Sequence, residues 1–365
     1  MLDRCGREID YVRISITDRC NLRCVYCMPE RGVTCMRHED VLSYEEIVRT
    51  VRALAALGIR HVRVTGGEPM ARRGCLTLVE RLHAIPGIET VSMTTNALLL
   101  DGCVAWAKEA GLSALNVSLD TLNPDAYRRM TRGGDVSRVL SVIGEALALG
   151  LQVKVNAVPV RGMNEEDLPA LAMLAKDWPL CVRFIELMPV GCGAALSPIP
   201  TDEVLARLCA ALGPLAPDAQ PHGFGPARYV RPEGFAGSIG LISPMSHEFC
   251  GSCNRVRLTA DGFLKLCLNH TAGLDVRALL RGGASDDELQ AALAGAIAAK
   301  PARHGFFENV GDRAASAWTR AARPSPGGLR RAATRSWSSC CLPTSRGRSR
   351  QRSSACATSA SSISS

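Results

Sequence analysis

Residues 18–29 read DRCNLRCVYCMP, a short run with three cysteines at C-x3-C-x2-C spacing. The three are Cys20, Cys24 and Cys27. Thiolates are soft ligands that favour zinc and iron–sulfur clusters over hard cations. A structural zinc ion takes four protein ligands, whereas a four-iron cluster held by three thiolates keeps one iron open to a ligand that is not protein. Cys35 or His38 could supply a fourth ligand, so the spacing alone predicts a cluster and leaves zinc as an alternative.

The positive charge of the chain lies in its last part. The net charge is +8, but residues 311–365 hold ten arginines against a single acid, Asp312, so that residues 1–310 sum to −1. A nearly neutral body argues against a nucleic-acid partner. No apolar run reaches the ~20 residues of a membrane span, and the N-terminus has no signal-peptide pattern. Sixteen cysteines in such a chain predict a reducing compartment, the cytoplasm.

Short apolar runs alternate with helical patterns from residue 11 to about residue 190. The predicted strands are residues 12–17, 61–65, 90–95, 114–119, 153–158 and 182–187. Serial β-α units of this kind predict an α/β fold with a parallel sheet. Helices are expected after a capping box at Ser43, after Asn123 and from Asn164. After residue 190 the alternation fades into Gly- and Pro-rich stretches.

Polar residues cluster at the predicted carboxyl ends of the strands, where parallel α/β folds place their ligands. They are residues 65–69, 94–96, Ser118, Asp120, Lys154, Asn156, Glu186 and Met188. Taken singly, such residues are more often helix caps or turn residues. Gly66 and Gly67 expose backbone carbonyls and permit close approach, which suits contact with the amino group of a bound amino acid. A tight turn between strand and helix is the alternative.

A second cysteine motif occurs near the end of the regular sequence, at C-x2-C-x13-C spacing. It consists of Cys250, Cys253 and Cys267. A second iron–sulfur cluster and a zinc knuckle completed by His247 or His270 are equally compatible with it. Arg255 and Arg257 would share one face of a strand, where two guanidiniums can grip a phosphate or carboxylate. An exposed basic face is the alternative.

Residues 18–29 resemble the activating loop of radical S-adenosylmethionine (SAM) enzymes. With the second cysteine motif, residues 3–308 resemble the GTP 3′,8-cyclases of molybdenum cofactor biosynthesis. The segments that carry this resemblance are residues 13–20, 63–69, 116–120, 154–156, 183–189 and 250–259. The resemblance implies a partial, TIM-like (βα)6 barrel at residues 1–215. It also implies a smaller C-terminal cluster-binding region at residues 216–310.

The resemblance also implies cofactors and contacts. The two cysteine triads would hold two [4Fe–4S] clusters, the first binding SAM and the second the guanine of GTP. The expected SAM contacts are Tyr26, Gly67, Ser118 and Met188. The expected GTP contacts are Arg13, Arg63, Thr94, Lys154, Arg255, Val256 and Arg257. No residue is expected to act as a general acid or base.

The implied reaction is a radical cyclisation, which belongs to the lyase class. A 5′-deoxyadenosyl radical from SAM would abstract the 3′ hydrogen of GTP, and C3′ would attack C8 to give 3′,8-cyclo-7,8-dihydroguanosine 5′-triphosphate. The family further implies a reductive electron donor and transfer of the product to cyclic pyranopterin monophosphate synthase. A monomer or a homodimer is expected, with no membrane and no nucleic acid as partner.

Two departures from the family pattern carry expectations of their own. Ala97 stands where the family usually has glycine, a mild change if the backbone there is not left-handed. Beyond Val310 the pattern stops, and the short Gly-Gly ending that the family needs for activity is missing. Residues 311–365 are rich in Ser and Arg, a composition that cannot bury a core. We expect this tail to be disordered or frameshifted, with cluster assembly intact and cyclisation weak or absent.

Two alternative functions remain open at the level of sequence. Another two-cluster radical SAM enzyme, such as a peptide-modifying one, would need a recognition segment before Cys20, where nineteen residues stand. A zinc-stabilised nucleic-acid-binding protein would need a basic body, and residues 1–310 are not basic.

Overall fold

Six parallel strands form the centre of the sheet in this computed structural model, which describes residues 1–306. They are β1 (Tyr11–Ser15), β2 (His61–Thr65), β3 (Thr90–Thr95), β4 (Leu112–Ser118), β5 (Gln152–Ala157) and β6 (Cys181–Ile185). Each strand pairs in parallel with the next one along the chain. The six predicted strands are confirmed, with ends within two residues of the prediction. The predicted tail at residues 311–365 lies outside the described residues.

The crossover segments between these strands contain six helices. They are α1 (Tyr44–Ala56), α2 (Cys75–His83), α3 (Val104–Glu109), α4 (Pro124–Thr131), α5 (Val136–Ala148) and α6 (Leu168–Asp177). The capping box at Ser43 and the cap at Asn123 are confirmed. The helix expected from Asn164 is confirmed, and its first turn, Glu165–Asp167, is a 3-10 turn that runs directly into α6. The Asn164 side chain donates to the carbonyl of Asp120 over 2.8 Å.

The chain after residue 190 is more regular than its sequence predicts. It adds α7 (Thr201–Leu212), β7 (Leu215–Pro217), β8 (Arg228–Pro232), β9 (Ser238–Ile242), β10 (Arg255–Leu258), β11 (Phe263–Lys265), β12 (Gly273–Asp275), α8 (Val276–Arg281) and α9 (Asp286–Ala298). β9 pairs in parallel with β6, and β10 pairs in parallel with β1. The C-terminal region therefore extends both edges of the central sheet, which becomes twelve-stranded.

Alternation along the strands separates the core from the site. On β1, Val12 and Ile14 are fully buried in the hydrophobic core, and burial of one such side chain contributes about 1.5–3 kcal/mol. Arg13 lies between them and so points to the opposite, inner face of the sheet. Arg63 on β2 holds the matching register position. In the part of the chain that the structure describes, no helix is long and apolar enough to cross a membrane.

Candidate functional site

The first cysteine triad is held by one short loop that follows β1. The amide of Cys27 donates to the carbonyl of Cys24 over 2.9 Å, which closes a turn between these two residues. The guanidinium of Arg23 donates to the carbonyl of Cys20 over 2.6 Å. All three cysteines are partly buried. The three predicted ligands are therefore brought together by local contacts.

The thiols of this triad have raised pKa values. Burial is the largest cause for Cys20, Cys24 and Cys27 alike. Neighbouring thiols and the carboxylate of Asp120 raise the pKa of Cys24 further, and the pKa of Cys27 reaches about 12. Thiols of this kind remain protonated at neutral pH until a metal displaces the proton.

The second triad is assembled from segments that are distant in the sequence. Cys250 and Cys253 flank a turn before β10, and Cys267 follows β11. Arg7, near the N-terminus, donates to the carbonyl of Cys250 over 2.9 Å and also to carbonyls of residues 300–302. One guanidinium thus joins the N-terminus, the first cysteine of the triad and a C-terminal segment.

Two further buried charges support this assembly. Asp3 pairs with Arg7 at 2.6 Å, and the two side chains are 0% and 5% accessible. The ammonium of Lys300 donates to the carbonyls of Arg255 and Leu266, at 2.9 and 2.5 Å. Leu266 immediately precedes the third cysteine of the triad. Loss of one partner from such a buried arrangement costs about 3–5 kcal/mol, so the geometry of the second triad depends on these charges.

The second triad also differs from the first in its thiol chemistry. Burial raises the pKa of Cys253, but the cationic side chains of Arg255 and Lys300 outweigh burial and bring this pKa down to about 7. Burial raises the pKa of Cys250. One thiol of the second triad is therefore substantially ionised at neutral pH without a metal.

Ligand spacing distinguishes an iron–sulfur cluster from a zinc ion. Sulfurs bound to one tetrahedral zinc ion lie ~3.8 Å apart, since each Zn–S bond is ~2.3 Å. Within residues 1–306, neither triad brings its three sulfurs within 4.8 Å of one another. Wider spacing fits a cluster, in which each thiolate binds a different iron. The residues present therefore fit [4Fe–4S] clusters better than zinc.

The four residues that could complete a zinc site are either exposed or in contact with other groups. His247 lies 3.1 Å from a carboxylate oxygen of Asp202, and His270 lies 3.0 Å from the carbonyl of Arg303. Cys35 and His38 are both exposed. Neither zinc alternative is supported by these positions.

The predicted SAM contacts occupy strand ends and the cysteine loop. Gly67, Ser118 and Met188 lie at or just beyond the carboxyl ends of β2, β4 and β6. The hydroxyl of Tyr26 donates to the carboxylate of Asp120 over 2.7 Å. Burial raises the pKa of Asp120 to about 6. The sequence places Asp120 among the polar strand-end residues, and the structure shows that it ties the cysteine loop to the end of β4.

Gly66 and Gly67 have a packing reason to be glycine. A Cβ atom on Gly67 would lie 2.3 Å from the carbonyl oxygen of Arg19, and one on Gly66 would lie 2.6 Å from that of Thr17. The amide of Gly67 donates to Thr17 over 2.8 Å. The end of β2 therefore touches the segment that leads into the first triad. Contact of these glycines with SAM stays a prediction.

Glu68 joins the ends of β2 and β3 behind the first triad. Its carboxylate accepts hydrogen bonds from the hydroxyl of Thr95 and the amide of Asn96, both at 2.8 Å. Burial raises the pKa of Glu68 to about 7. Ala97, which follows Asn96 just beyond the end of β3, has a backbone φ of 69°. The backbone at Ala97 is therefore left-handed, a conformation that is unfavourable for alanine.

Cationic side chains line the inner face of the sheet. The strand register places Arg13 between Arg63 and Arg257. Burial, followed by the charges of Arg257 and Arg63, lowers the pKa of Arg13 to about 9. Burial, followed by Arg183 and Arg63, lowers the pKa of Lys154 to about 8. Mutual repulsion of this kind is relieved by a multiply charged anion, and a triphosphate fits.

Arg183 belongs to this group, although the sequence assigned it no role. Its guanidinium donates to the side-chain oxygens of Asn116 and Asn156, at 2.6 and 2.9 Å. The available signal in the sequence was strand alternation. It places Arg183 on the same face of the sheet as its register partner on β5, Asn156.

Two predicted GTP contacts carry unsatisfied polar atoms. Among the buried side-chain polar atoms of residues 1–306, Thr94 Oγ1 and Arg255 Nε lack a hydrogen-bond partner. An unmade buried hydrogen bond costs about 1–3 kcal/mol, and such atoms are typical of ligand sites. Val256 lies beside Arg255 with a fully buried side chain, so only its backbone is available for a ligand on the inner face.

The loop between β7 and β8 reaches the same face. Lys154 donates to the carbonyl of His222. The imidazole of His222 lies between the thiol of Cys181 at 3.3 Å and the carboxylate of Asp218 at 2.9 Å. The sequence presents this region only as Pro- and Gly-rich, which hides the contact with Lys154.

Two protein families match this chain over most of its described length. Residues 14–175 match the family described as the radical SAM superfamily, and residues 180–306 match the family described as molybdenum cofactor synthesis C. A protein of Pelotomaculum thermopropionicum named GTP 3′,8-cyclase is 49% identical over 86% of this chain and 98% of its own length. One of the same name from Moorella thermoacetica is 48% identical over 83% and 95%.

A solved structure shares the fold at low sequence identity. Streptococcus suis SuiB bound to S-adenosylmethionine superposes with a TM-score of 0.54 over 80% of this chain and 68% of its own, at 14% identity. The likeness therefore concerns the fold alone and agrees with a partial barrel.

Proposed function

The chain belongs to the GTP 3′,8-cyclase family of the radical SAM superfamily, and we propose that it converts GTP to 3′,8-cyclo-7,8-dihydroguanosine 5′-triphosphate, the first step of molybdenum cofactor biosynthesis. The observation that carries the proposal is the arrangement of one sheet. Its inner face bears a row of partly buried cations, and the two cysteine triads stand beside β1 and β10, the strands that contribute Arg13 and Arg257 to that row.

Each triad has a separate task in this proposal. Cys20, Cys24 and Cys27 hold the first [4Fe–4S] cluster, and Cys250, Cys253 and Cys267 hold the second. With SAM bound, the first cluster supplies the reducing chemistry that generates a hydrogen-abstracting radical. The protein's own contribution is to position the reacting atoms and to exclude water. Tyr26, Gly67, Ser118 and Met188 contact SAM.

The cations of the inner face bind the triphosphate of GTP. Arg13, Arg63, Lys154 and Arg257 supply charge, since Lys154 is buried, the three arginines are partly buried, and each is repelled by its neighbours. Thr94 Oγ1 and Arg255 Nε supply hydrogen bonds that no described residue satisfies. The backbone of Val256 completes this set. These contacts position the triphosphate, and no residue acts as a general acid or base.

Several further features belong to the proposal. Residues 1–215 form the radical SAM barrel and residues 216–310 the second cluster region. The enzyme acts in the cytoplasm as a monomer or homodimer, takes electrons from a reductive donor and passes its product to cyclic pyranopterin monophosphate synthase.

Replacement of Lys154 by methionine tests the substrate assignment. We expect Lys154→Met to weaken GTP binding about 10- to 100-fold, because one desolvated charge–phosphate contact is lost. Iron and sulfide should remain near eight per chain, the content of two four-iron clusters. Lys176→Met is the matched control, since Lys176 is exposed on α6. Unchanged GTP affinity in Lys154→Met, or stoichiometric zinc in place of iron in anaerobic protein, would contradict the proposal.

A further inference from the structure

A mixed group of metal-binding side chains lies at the edge of the second triad. The carboxylate of Glu248, the thiol of Cys250 and the imidazole of His304 bring their ligand atoms within 4.8 Å of one another. Within residues 1–306, this is the one group of three such side chains that comes so close together. Only Cys250 of this group belongs to the predicted cluster ligands.

The imidazole of His304 has a hydrogen-bond partner at each of its nitrogens. The side chain of His304 is 7% accessible, and its Nε2 lies 3.7 Å from Glu248 Oε1. Nε2 also lies 3.0 Å from the carbonyl oxygen of Pro244, while Nδ1 accepts a hydrogen bond from the amide of Phe306. The backbone amide of His304 contributes a hydrogen bond to Cys250 that lowers its pKa. The segment around His304 is thus attached directly to the cysteine.

The donor set has the chemistry of a zinc-class cation. Thiolate, imidazole and carboxylate together favour Zn²⁺ or Co²⁺ over hard cations, which prefer oxygen alone. Three protein ligands and one open position are a common zinc arrangement. Ligand atoms on one tetrahedral ion lie ~3.3–3.8 Å apart, so side-chain movements of about 1 Å, with the hydrogen bond between His304 Nε2 and Pro244 released, would close the present group on a metal. The exposed carboxylate of Glu248 has room for such movement.

We propose that Glu248, Cys250 and His304 form a site for a divalent cation of the zinc class, and that its occupation excludes the second iron–sulfur cluster. The exclusion follows because Cys250 serves in both sites. The exclusion of the cluster rests on the proposed function, whereas the cation site itself rests on the geometry of the three side chains.

Cobalt binding to the full-length chain, prepared reduced and free of clusters, tests the site itself. We expect one equivalent of Co²⁺ to give sulfur-to-cobalt charge-transfer absorption and the visible bands of a four-coordinate ion. His304→Gln and Glu248→Gln should each weaken binding about tenfold or more, and Cys250→Ser should abolish the charge-transfer band. His270→Gln is the matched control, since this nearby histidine contacts the carbonyl of Arg303 instead.

Two results would overturn the cation site. One is the absence of cobalt binding. The other is a band that survives in His304→Gln but disappears in Cys253→Ser, because the ion would then lie among the three cysteines. Retention of the band in Cys253→Ser supports the proposal.

Reconstitution with iron and sulfide tests the exclusion. Chain preloaded with Zn²⁺ should take up about four irons, and zinc-free chain about eight. Uptake of eight irons with zinc retained would overturn the exclusion. Failure of the zinc-free chain to exceed four irons would count against the proposed function and leave the cobalt result standing.

Discussion

The two cysteine triads offer the same three thiol ligands but are built in different ways. The first is closed by contacts within one loop, such as the turn from Cys24 to Cys27. The second depends on Arg7 and Lys300, which lie 243 residues before Cys250 and 34 residues after Leu266. A local motif can therefore specify its own geometry, whereas a motif of the same composition elsewhere needs buried charges from distant segments.

The two triads also differ in the charges that surround them. The first triad lies near the carboxylate of Asp120, which raises the pKa of Cys24 and of Cys27. The second triad lies near cations, which lower the pKa of Cys253 to about 7. We infer that the first site keeps its thiols protonated until iron binds. At the second site, the nearby cations favour negatively charged thiolate ligands.

Replacement of Arg7 by leucine should have the largest effect and should affect the second triad alone. It leaves Asp3 buried without its partner and removes the donor to Cys250, at a cost of about 3–5 kcal/mol in the free energy of unfolding. Iron should fall from about eight to about four per chain, and SAM binding should persist. Chemical denaturation and metal analysis measure both effects.

The control for this variant is Arg4→Leu, because Arg4 is exposed. Equal loss of iron from both triads in Arg7→Leu would show that the two sites are not independent.

Acid should destabilise the chain in the same direction as the Arg7→Leu variant. Hydrogen bonds from Arg7 hold the pKa of Asp3 below its usual value against the opposing effect of burial, so this stability is present above pH ~4 and is lost as pH falls.

Replacement of Tyr26 by phenylalanine should give the next largest effect, now at the first triad. Asp120 would lose the hydrogen bond from the phenol, at a cost of about 1.5–3 kcal/mol for a bond to a charged group. The pKa of Asp120 is raised by burial to about 6, so its contribution to stability falls as pH rises from ~4 to about 6. In the variant this fall should extend to higher pH, since the hydroxyl no longer favours the ionised form.

Thermal unfolding between pH 4 and pH 8 measures that shift. Tyr44→Phe is a suitable control, because the Tyr44 hydroxyl donates to a backbone carbonyl, that of Arg73. A pH profile in Tyr26→Phe that parallels the unmodified chain would contradict the role given to Asp120.

Replacement of Arg255 by glutamine should alter the chemistry of the second triad with little effect on the fold. Arg255 is the largest of the influences that lower the pKa of Cys253. We expect this pKa to rise by about one unit, so that alkylation of Cys253 at pH 7 in cluster-free chain slows about fivefold. Alkylation of Cys24 serves as the internal reference. An unchanged rate at Cys253 would contradict the influence assigned to the Arg255 side chain.

The first triad and the six central strands could be predicted because their signals are local. The cysteine spacing, the capping box at Ser43 and the alternation on β1–β6 each concern residues close in sequence. The supports of the second triad could not be predicted, since nothing near Arg7 or His304 indicates a contact with Cys250. Pairing of β9 and β10 with opposite edges of the sheet is likewise a long-range outcome that short, irregular sequence hides.

Replacement of Ala97 by glycine should have the smallest effect on stability. Ala97 lies at the strand end that supports the first triad. Its φ of 69° costs an alanine about 1–2 kcal/mol, while glycine would add about 0.5–1 kcal/mol of backbone entropy cost. Ala97→Gly should therefore stabilise the chain by about 0.5–1 kcal/mol and leave the iron content of both triads unchanged. Ala172→Gly, at a buried position of α6, should instead destabilise by at least about 1 kcal/mol. Denaturant titration of the two variants distinguishes relief of strain from a general effect of glycine, since only strain relief gives changes of opposite sign. Destabilisation by both would mean that the buried Cβ of Ala97 contributes more through packing than its backbone loses through strain.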